Sequence, residues 1–353
     1  MIRVAINGYG RIGRIAHRVI LEKHSSEIEV AAINAGSSTD IKGWMYLLKY
    51  DTTYGPLPSS VILNSVQDLD SDLRQNDNGK IGYLIINGKE IPVFSQKDPS
   101  LLPWKDLNVD VVIESTGHFL TERLLKAHIS AGAKKVVLSA PAKGGNIETY
   151  VLSVNDKNYK GESLINNASC TTNCIAPVAK IMVDNFGVEK AMMTTIHGYT
   201  SDQRLQDGGH KDYRRARAAS ENIIPTSTGA TIAASEAVPE LKGRFNGLAI
   251  RVPVSVGSLS DFTFLLKKNT TVEEINEIFR QEAKNPIYNS ILEVTEDPIV
   301  SSDIIGNSHS AVVDLSLTQV VGGNLAKVIA WYDNEYGYAN RLVEEVIMVG
   351  NKK

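Results

Sequence analysis

The chain has 353 residues, 42% hydrophobic and 22% charged, a globular balance that excludes wholesale disorder, collagen-like repetition and a disulfide-stapled miniprotein. At roughly 100–200 residues per domain, this length holds two domains with separate cores. Lys and Arg total 37 against 40 for Asp and Glu, net −3, so no bulk charge draws the chain to nucleic acid or an anionic membrane, and neither is expected as a primary partner.

Residues 2–6 open with an apolar strand pattern and no charged-then-apolar leader precedes it. Residues 11–23 follow with Ile12, Ile15, Ala16, Val19 and Ile20 on one helical stripe. The runs 28–33, 109–114 and 135–140 repeat the strand pattern, and 122–131 repeats the helical one. Near-continuous apolarity means strands covered on both faces, so the β-α-β order predicts an α/β fold, a Rossmann-type doubly wound parallel sheet. Between 54 and 77 the pattern gives way to Pro, Ser, Asn and Asp, a surface excursion carrying Asp68, Asp70 and Asp72. Their spacing lacks the Gly and distal Glu of a cation loop, so no metal is expected.

From 170 onward the pattern changes. A helix at 170–185, a polar and basic segment at 199–222, strands at 247–252, 258–266 and 311–317, and a helix at 272–282 predict a second, α+β domain. The expected division is 1–169 and 170–333, with a helix in 334–353 returning to the first domain.

Gly8-Tyr9-Gly10-Arg11-Ile12-Gly13 follows a strand and opens a helix, the setting in which glycines admit a pyrophosphate to helix-start N–H groups. The next strand ends Ile33-Asn34-Ala35-Gly36-Ser37-Ser38-Thr39, without the acid that accepts from an NAD ribose and repels a 2′-phosphate. Three hydroxyls stand there instead, although no Arg or Lys adjoins them. NADP is therefore expected beside NAD.

The only cysteines are Cys170 and Cys174, four apart on one predicted helix face, a poor geometry for a disulfide and a sign of a reducing, cytoplasmic compartment. Cys170 falls at the positive end of the helix dipole, where a thiol pKa drops; Cys174 reads as a small buried hydrophobe. Pro177 removes an N–H and predicts an irregular helix start. His197, after the apolar run 191–193, is the candidate base, the other six histidines falling on helix faces or polar loops. Arg204, Lys211, Arg214, Arg215 and Arg217, with Arg251, could hold an anion, against the default reading of a solvated face diluted by Asp202, Asp207 and Asp212.

Together these residues closely resemble the phosphorylating glyceraldehyde-3-phosphate dehydrogenase family over nearly the whole chain. The most specific block is Ala168-Ser169-Cys170-Thr171-Thr172-Asn173-Cys174-Ile175-Ala176-Pro177. Asn7-Gly8-Tyr9-Gly10-Arg11-Ile12-Gly13-Arg14, Leu48-Lys49-Tyr50-Asp51, Ser227-Thr228-Gly229-Ala230 and Trp331-Tyr332-Asp333-Asn334-Glu335-Tyr336-Gly337 support it. The resemblance implies a dinucleotide-binding domain followed by a catalytic one, with Cys170 as nucleophile and His197 as its base. It implies that Asn334 orients the nicotinamide carboxamide, that Arg11 and Ile12 touch the pyrophosphate, and that Gly8, Gly10, Gly13, Asn34, Ala35, Lys97 and Ser139 line the cofactor cleft. Thr200 and Arg251 match residues around the substrate phosphate, and Ser169, Thr171, Arg215, Thr228 and Gly229 those around the attacking inorganic phosphate. A homotetramer is implied too, with the 199–222 loop against a neighbour's cofactor site.

The sequence departs from the family in ways that bear on the cofactor. Ala35 stands where many members carry an acid, and Asp207-Gly208-Gly209-His210 replaces a bulkier Leu-Pro that crowds a 2′-phosphate. Arg251-Val252-Pro253-Val254 leaves the common continuation, and the insert at 66–78 is longer than usual. Two rival readings remain at this point: an erythrose-4-phosphate dehydrogenase releasing an acid by hydrolysis, and a catalytically silent dinucleotide-binding scaffold.

Overall fold

The computed structural model describes residues 1–59, 61, 63–68 and 79–352, with backbone alone for 63–68. Asp70, Asp72 and the rest of the insert from 69 to 78 lie outside the described residues, as does the Asp68 side chain. Two compact units emerge: Met1–Thr149 with Tyr159–Asn167 and Ala339–Lys353, and Tyr150–Asn158 with Ala168–Tyr338. The sequence reading divides the chain at 169/170 and returns it at 333/334; the chain passes between units at 150, 159 and 168 and again at 339.

The first unit is built on a sheet whose central strands, at 2–7, 28–34, 111–114 and 135–138, bury their Ile, Val and Ala side chains on both faces, and its strands follow in chain order. They are β1 (Ile2–Asn7), β2 (Ile28–Asn34), β3 (Leu63–Asp68), β4 (Lys80–Ile86), β5 (Lys89–Phe94), β6 (Val111–Glu114), β7 (Lys135–Leu138), β8 (Glu148–Thr149) and β9 (Leu164–Asn166). Among the described residues their order is β8-β9-β7-β6-β1-β2-β5-β4-β3. Every neighbouring pair is parallel except β3-β4 and β4-β5, which form an antiparallel edge. That edge follows from Asn87-Gly88, both at positive φ (51° and 74°), a two-residue turn matching the twist of a hairpin.

Helix α1 (Arg11–Lys23) buries Ile15, Ala16, Val19 and Ile20, as its stripe predicts. Gly13 lets it meet β1 closely, since a Cβ there would stand 2.2 Å from Gly8 O. Helices α2 (Ile41–Lys49) and α3 (Glu122–Ser130) follow, with a short 3-10 helix at Pro99–Leu101 between them.

The second unit opens with α4 (Cys170–Phe186), which runs unbroken past the buried Pro177 rather than starting irregularly. It packs on a mixed sheet of β10 (Val188–Gly198), β11 (Ile224–Ser227), β12 (Phe245–Val252), β13 (Ser258–Leu266), β14 (Leu292–Thr295), β15 (Ala311–Asp314), β16 (Gln319–Val321) and β17 (Leu325–Tyr332). The order is β11-β12-β10-β13-β17-β15-β14, with β16 on β17. Along β13 buried residues alternate with half-buried ones, so one face, carrying stacked Phe262 and Phe264, faces the core with α4, α5 (Ala230–Ala237) and α6 (Val272–Lys284).

Helix α7 (Tyr336–Asn351) starts two residues later than its pattern predicts. The reason is local: Asp333 Oδ1 accepts the N–H groups of Glu335 and Tyr336 and holds that segment as a cap. From Ala339 the helix belongs to the first unit, where Lys135 Nζ donates to Val349 O at 2.8 Å. Among the described residues no helix is long and apolar enough to cross a membrane, and no cluster of His, Cys, Asp and Glu could hold a metal ion.

Candidate active site

In the first unit the carboxyl ends of β1, β2 and β6 border a cleft of about 490 Å³, where a doubly wound sheet reverses its strand order. Of the residues named for the cofactor from the sequence, Gly8, Gly10, Asn34, Ala35 and Lys97 line it, together with Asn7, which the sequence reading does not name. Gly8 sits at φ +95°, and a Cβ there would meet Thr116 N at 2.6 Å; Gly10 faces open space. No side chain caps α1 at Gly10, which leaves first-turn N–H groups for an anion. The cleft therefore fits a dinucleotide pyrophosphate.

Arg11, Ile12, Gly13 and Ser139 are not among the lining residues. The Arg11 guanidinium turns to Asp51, donating at 2.5 and 3.1 Å, so its contribution to a pyrophosphate would be backbone. Ser139 N donates to Glu114 O at the end of β7. Sequence reasoning missed Trp44, Gln96, Thr116, His118 and Phe119 in this lining; the signal available was Ser115-Thr116-Gly117 at a parallel strand end.

In the second unit Cys170 is the first residue of α4, behind the N-cap Ser169, whose Oγ accepts Thr172 N at 3.1 Å. The turn into the helix puts Ala168 at φ +50°, an uncommon conformation for a residue with a Cβ. His197 lies near the end of β10, and its Nε2 stands 3.4 Å from Cys170 Sγ. His197 Nδ1 lies 2.6 Å from Gly198 O and 2.9 Å from Arg251 Nη1; with Nδ1–H donating along the shorter contact, to the carbonyl, Nε2 presents its lone pair to the sulfur. Arg251, facing His197 across the β10-β12 register, donates to the same carbonyl at 3.0 Å.

Tyr332 ties nucleophile and base together. Its hydroxyl is 2.9 Å from Thr171 Oγ1, beside Cys170, and 2.8 Å from Thr195 Oγ1, two residues before His197, and its ring meets the imidazole edge-on. Sequence motifs include Tyr332 but give no sign of this role. Asn334 is buried with Oδ1 accepting from Ser258 Oγ at 2.8 Å, and Ser258 Oγ in turn accepts Gly198 N.

The remaining candidates gather unevenly. Arg215 donates to Asp202 Oδ2 at 2.8 Å, Thr226 Oγ1 at 3.0 Å and Ser227 O at 3.1 Å, which places it beside Thr228 and Gly229 at the start of α5. Ser169 Oγ reaches the same place through Thr172 Oγ1, which donates to Ala230 O. Thr171 turns its hydroxyl to Tyr332, and Thr200 N donates to Gln203, so neither is hydrogen-bonded to that group. Arg251 Nε is buried with no partner, a donor suited to an anion.

Burial pushes the Cys170 thiol up, against the expectation from the helix start alone, while Arg251 and hydrogen bonds from Thr171 pull it back. Burial, then the Arg251 charge, push His197 down to about 3. Cys174 is fully buried and its thiol is pushed above the ordinary range.

A model of the glyceraldehyde 3-phosphate dehydrogenase NAD binding domain matches residues 2–122, and one of the C-terminal domain of the same enzymes matches 169–334. The chain belongs to the glyceraldehyde-3-phosphate dehydrogenase family. It is 48% identical over 353 residues to the glyceraldehyde-3-phosphate dehydrogenase of Mycobacterium avium, covering 99% of this chain and 98% of the relative. Identity is 46% to glyceraldehyde-3-phosphate dehydrogenase 2 of Streptomyces avermitilis (99% of each chain) and 47% to that of Synechocystis sp. (98% and 97%). Within this family's C-terminal domain the Cys170–His197 contact and Arg251 form one electrostatic group.

That grouping gives a sign. Removing the Arg251 charge raises the thiol further, so iodoacetamide labelling of Arg251→Gln at neutral pH is expected to be slower than in the parent, with the rate-pH curve displaced upward. Labelling sites mapped by mass spectrometry should be confined to Cys170; a downward displacement would contradict the arrangement.

Proposed function

We propose that the chain catalyses the phosphorylating oxidation of D-glyceraldehyde 3-phosphate to 1,3-bisphosphoglycerate, with Cys170 as nucleophile and His197 as base. The observation that supports it most directly is the 3.4 Å approach of Nε2 to Sγ in a chain of this family. Sγ adds to the aldehyde carbon as its proton passes to Nε2, and that proton returns to the new alkoxide to give a thiohemiacetal. Nε2 then takes the hydroxyl proton as the carbonyl re-forms, now as a thioester. A nicotinamide dinucleotide, when bound, supplies the acceptor for the hydride that this carbon loses. Phosphate attacks the thioester and the Cys170 sulfur leaves.

The groups near the pair are cations and hydroxyls, which suit an anionic second nucleophile. In this reading Arg251 and Thr200 serve the substrate phosphate, while Ser169, Thr171, Arg215, Thr228 and Gly229 serve inorganic phosphate. Asn334 would hold the carboxamide, with Arg11, Ile12, Gly13 and Ser139 completing the dinucleotide contacts. A silent scaffold has no use for a nucleophile and base in contact.

The dinucleotide is NAD or NADP in this proposal, because Ala35, Gly36 and Ser37 on the cleft wall leave no carboxylate at the end of β2. A homotetramer is part of it as well. Met192 (61% exposed), Ile232 and Leu248 leave apolar surface on the second unit, and Tyr213 on the 199–222 loop is 87% exposed. A cytoplasmic location is proposed from two free thiols.

Product formation by the purified chain is expected to need inorganic phosphate; acid released at the same rate without it would contradict the phosphorylating reaction. His197→Asn should lower kcat by about 10²–10⁴ in the same assay, the usual worth of a general base. Initial rates with NAD and NADP side by side are expected to differ by less than about 100-fold, or roughly 2.7 kcal/mol; a larger preference for NAD would contradict dual use.

A further inference from the structure

Beneath the first unit's cleft lies a buried polar chain that the chemistry above does not use. β1 pairs with β2 and β6 so that Asn34, Asn7 and Glu114 stand side by side at three strand ends, all fully or almost fully buried. Gln96 N donates to Asn34 Oδ1 at 3.0 Å, Asn34 Nδ2 to Asn7 Oδ1 at 2.6 Å, and Asn7 Nδ2 to Glu114 Oε2 at 2.5 Å. From the other side the fully buried His128 donates from Nε2 to the same Oε2 at 3.0 Å, and Trp104 Nε1 donates to His128 Nδ1 at 3.0 Å. An indole N–H can only donate, so Trp104 sets the His128 tautomer and with it the direction of this arm of the chain. The second Glu114 oxygen accepts Thr116 N at 2.8 Å and the Thr116 hydroxyl at 2.5 Å.

All four contacts on Glu114 are donors, and two of the residues supplying them, Asn7 and Thr116, line the cleft. Thr116 N is also the atom that the missing Cβ of Gly8 would strike. The carboxylate thus holds both walls of the narrowest approach, the Asn7-Gly8 turn and the Thr116 turn, without lining the cleft itself. We propose that Glu114 is a positioning residue for dinucleotide binding, oriented by His128 and Trp104. The assignment rests on the dinucleotide reading of this cleft.

Glu114→Gln keeps the shape and removes one acceptor. With the His128 tautomer held by Trp104, the amide oxygen stays toward Asn7 and His128, and its NH₂ opposes Thr116 N. Leaving that half-buried N–H on the cleft wall without its acceptor should weaken NAD binding by about tenfold or more by calorimetry, while kcat at saturating NAD and the aldehyde KM stay within about twofold. Trp104→Phe, which removes the donor together with the pyrrole part of a fully buried indole, should weaken NAD binding in the same direction by a smaller factor with kcat and aldehyde KM again within about twofold, and it decides the matter if Glu114→Gln does not fold. NAD affinity within twofold of the parent in the folded variants would overturn the proposal. So would equal losses in aldehyde KM and kcat, the signature of general loosening. A parent chain that bound no dinucleotide would instead overturn the reading of the cleft, and this assignment with it.

Discussion

The contact between Cys170 Sγ and His197 Nε2 is the interaction on which the site depends, and neither partner achieves it locally. Cys170 is delivered by the Ser169 cap and the positive-φ turn at Ala168, His197 by the end of an eleven-residue strand. Tyr332, on β17, bridges the two through Thr171 and Thr195. Sheet register therefore sets the reactive distance, because β13 separates β17 from β10 and a slip of one residue would turn Thr195 and His197 to the other face.

The electrostatics of this pair are a balance of opposed effects. Desolvation favours keeping the proton on sulfur and off the imidazole. Arg251, Thr171 and the start of α4 favour negative charge on sulfur. A proton passing from the half-buried Cys170 thiol to the buried His197 leaves the net charge of the pair unchanged, so the desolvation penalty falls on each group singly more than on the transfer between them. Arg251 is then both the cation beside the pair and a guanidinium with a donor to spare for an anionic substrate group.

Local patterns carried much of the fold. The α1 stripe, the Gly8, Gly10 and Gly13 spacing, and the Cys170 helix are written in contiguous residues, and each element lies where its pattern put it. The β4-β5 hairpin is just as local, since Asn87-Gly88 is a two-residue turn signal between two apolar runs, although it stands directly after a polar stretch with no strand pattern of its own. Tyr332, Ser258 and Asp202 were not legible in the same way, because their roles arise from strand pairing and loop folding across long separations. Glu114 and His128 are hidden for a different reason: in sequence they resemble an ordinary strand-end acid and a helix-face histidine, and only the parallel register at Asn7 joins them.

Intact-protein and peptide mass spectrometry of the chain mixed with aldehyde and dinucleotide, with phosphate left out, tests the central claim most directly. The account predicts an acyl adduct on the peptide containing Cys170, on that sulfur and not on Cys174, discharged when phosphate is added. Turnover with no adduct, or with the acyl group on any other residue, would contradict it.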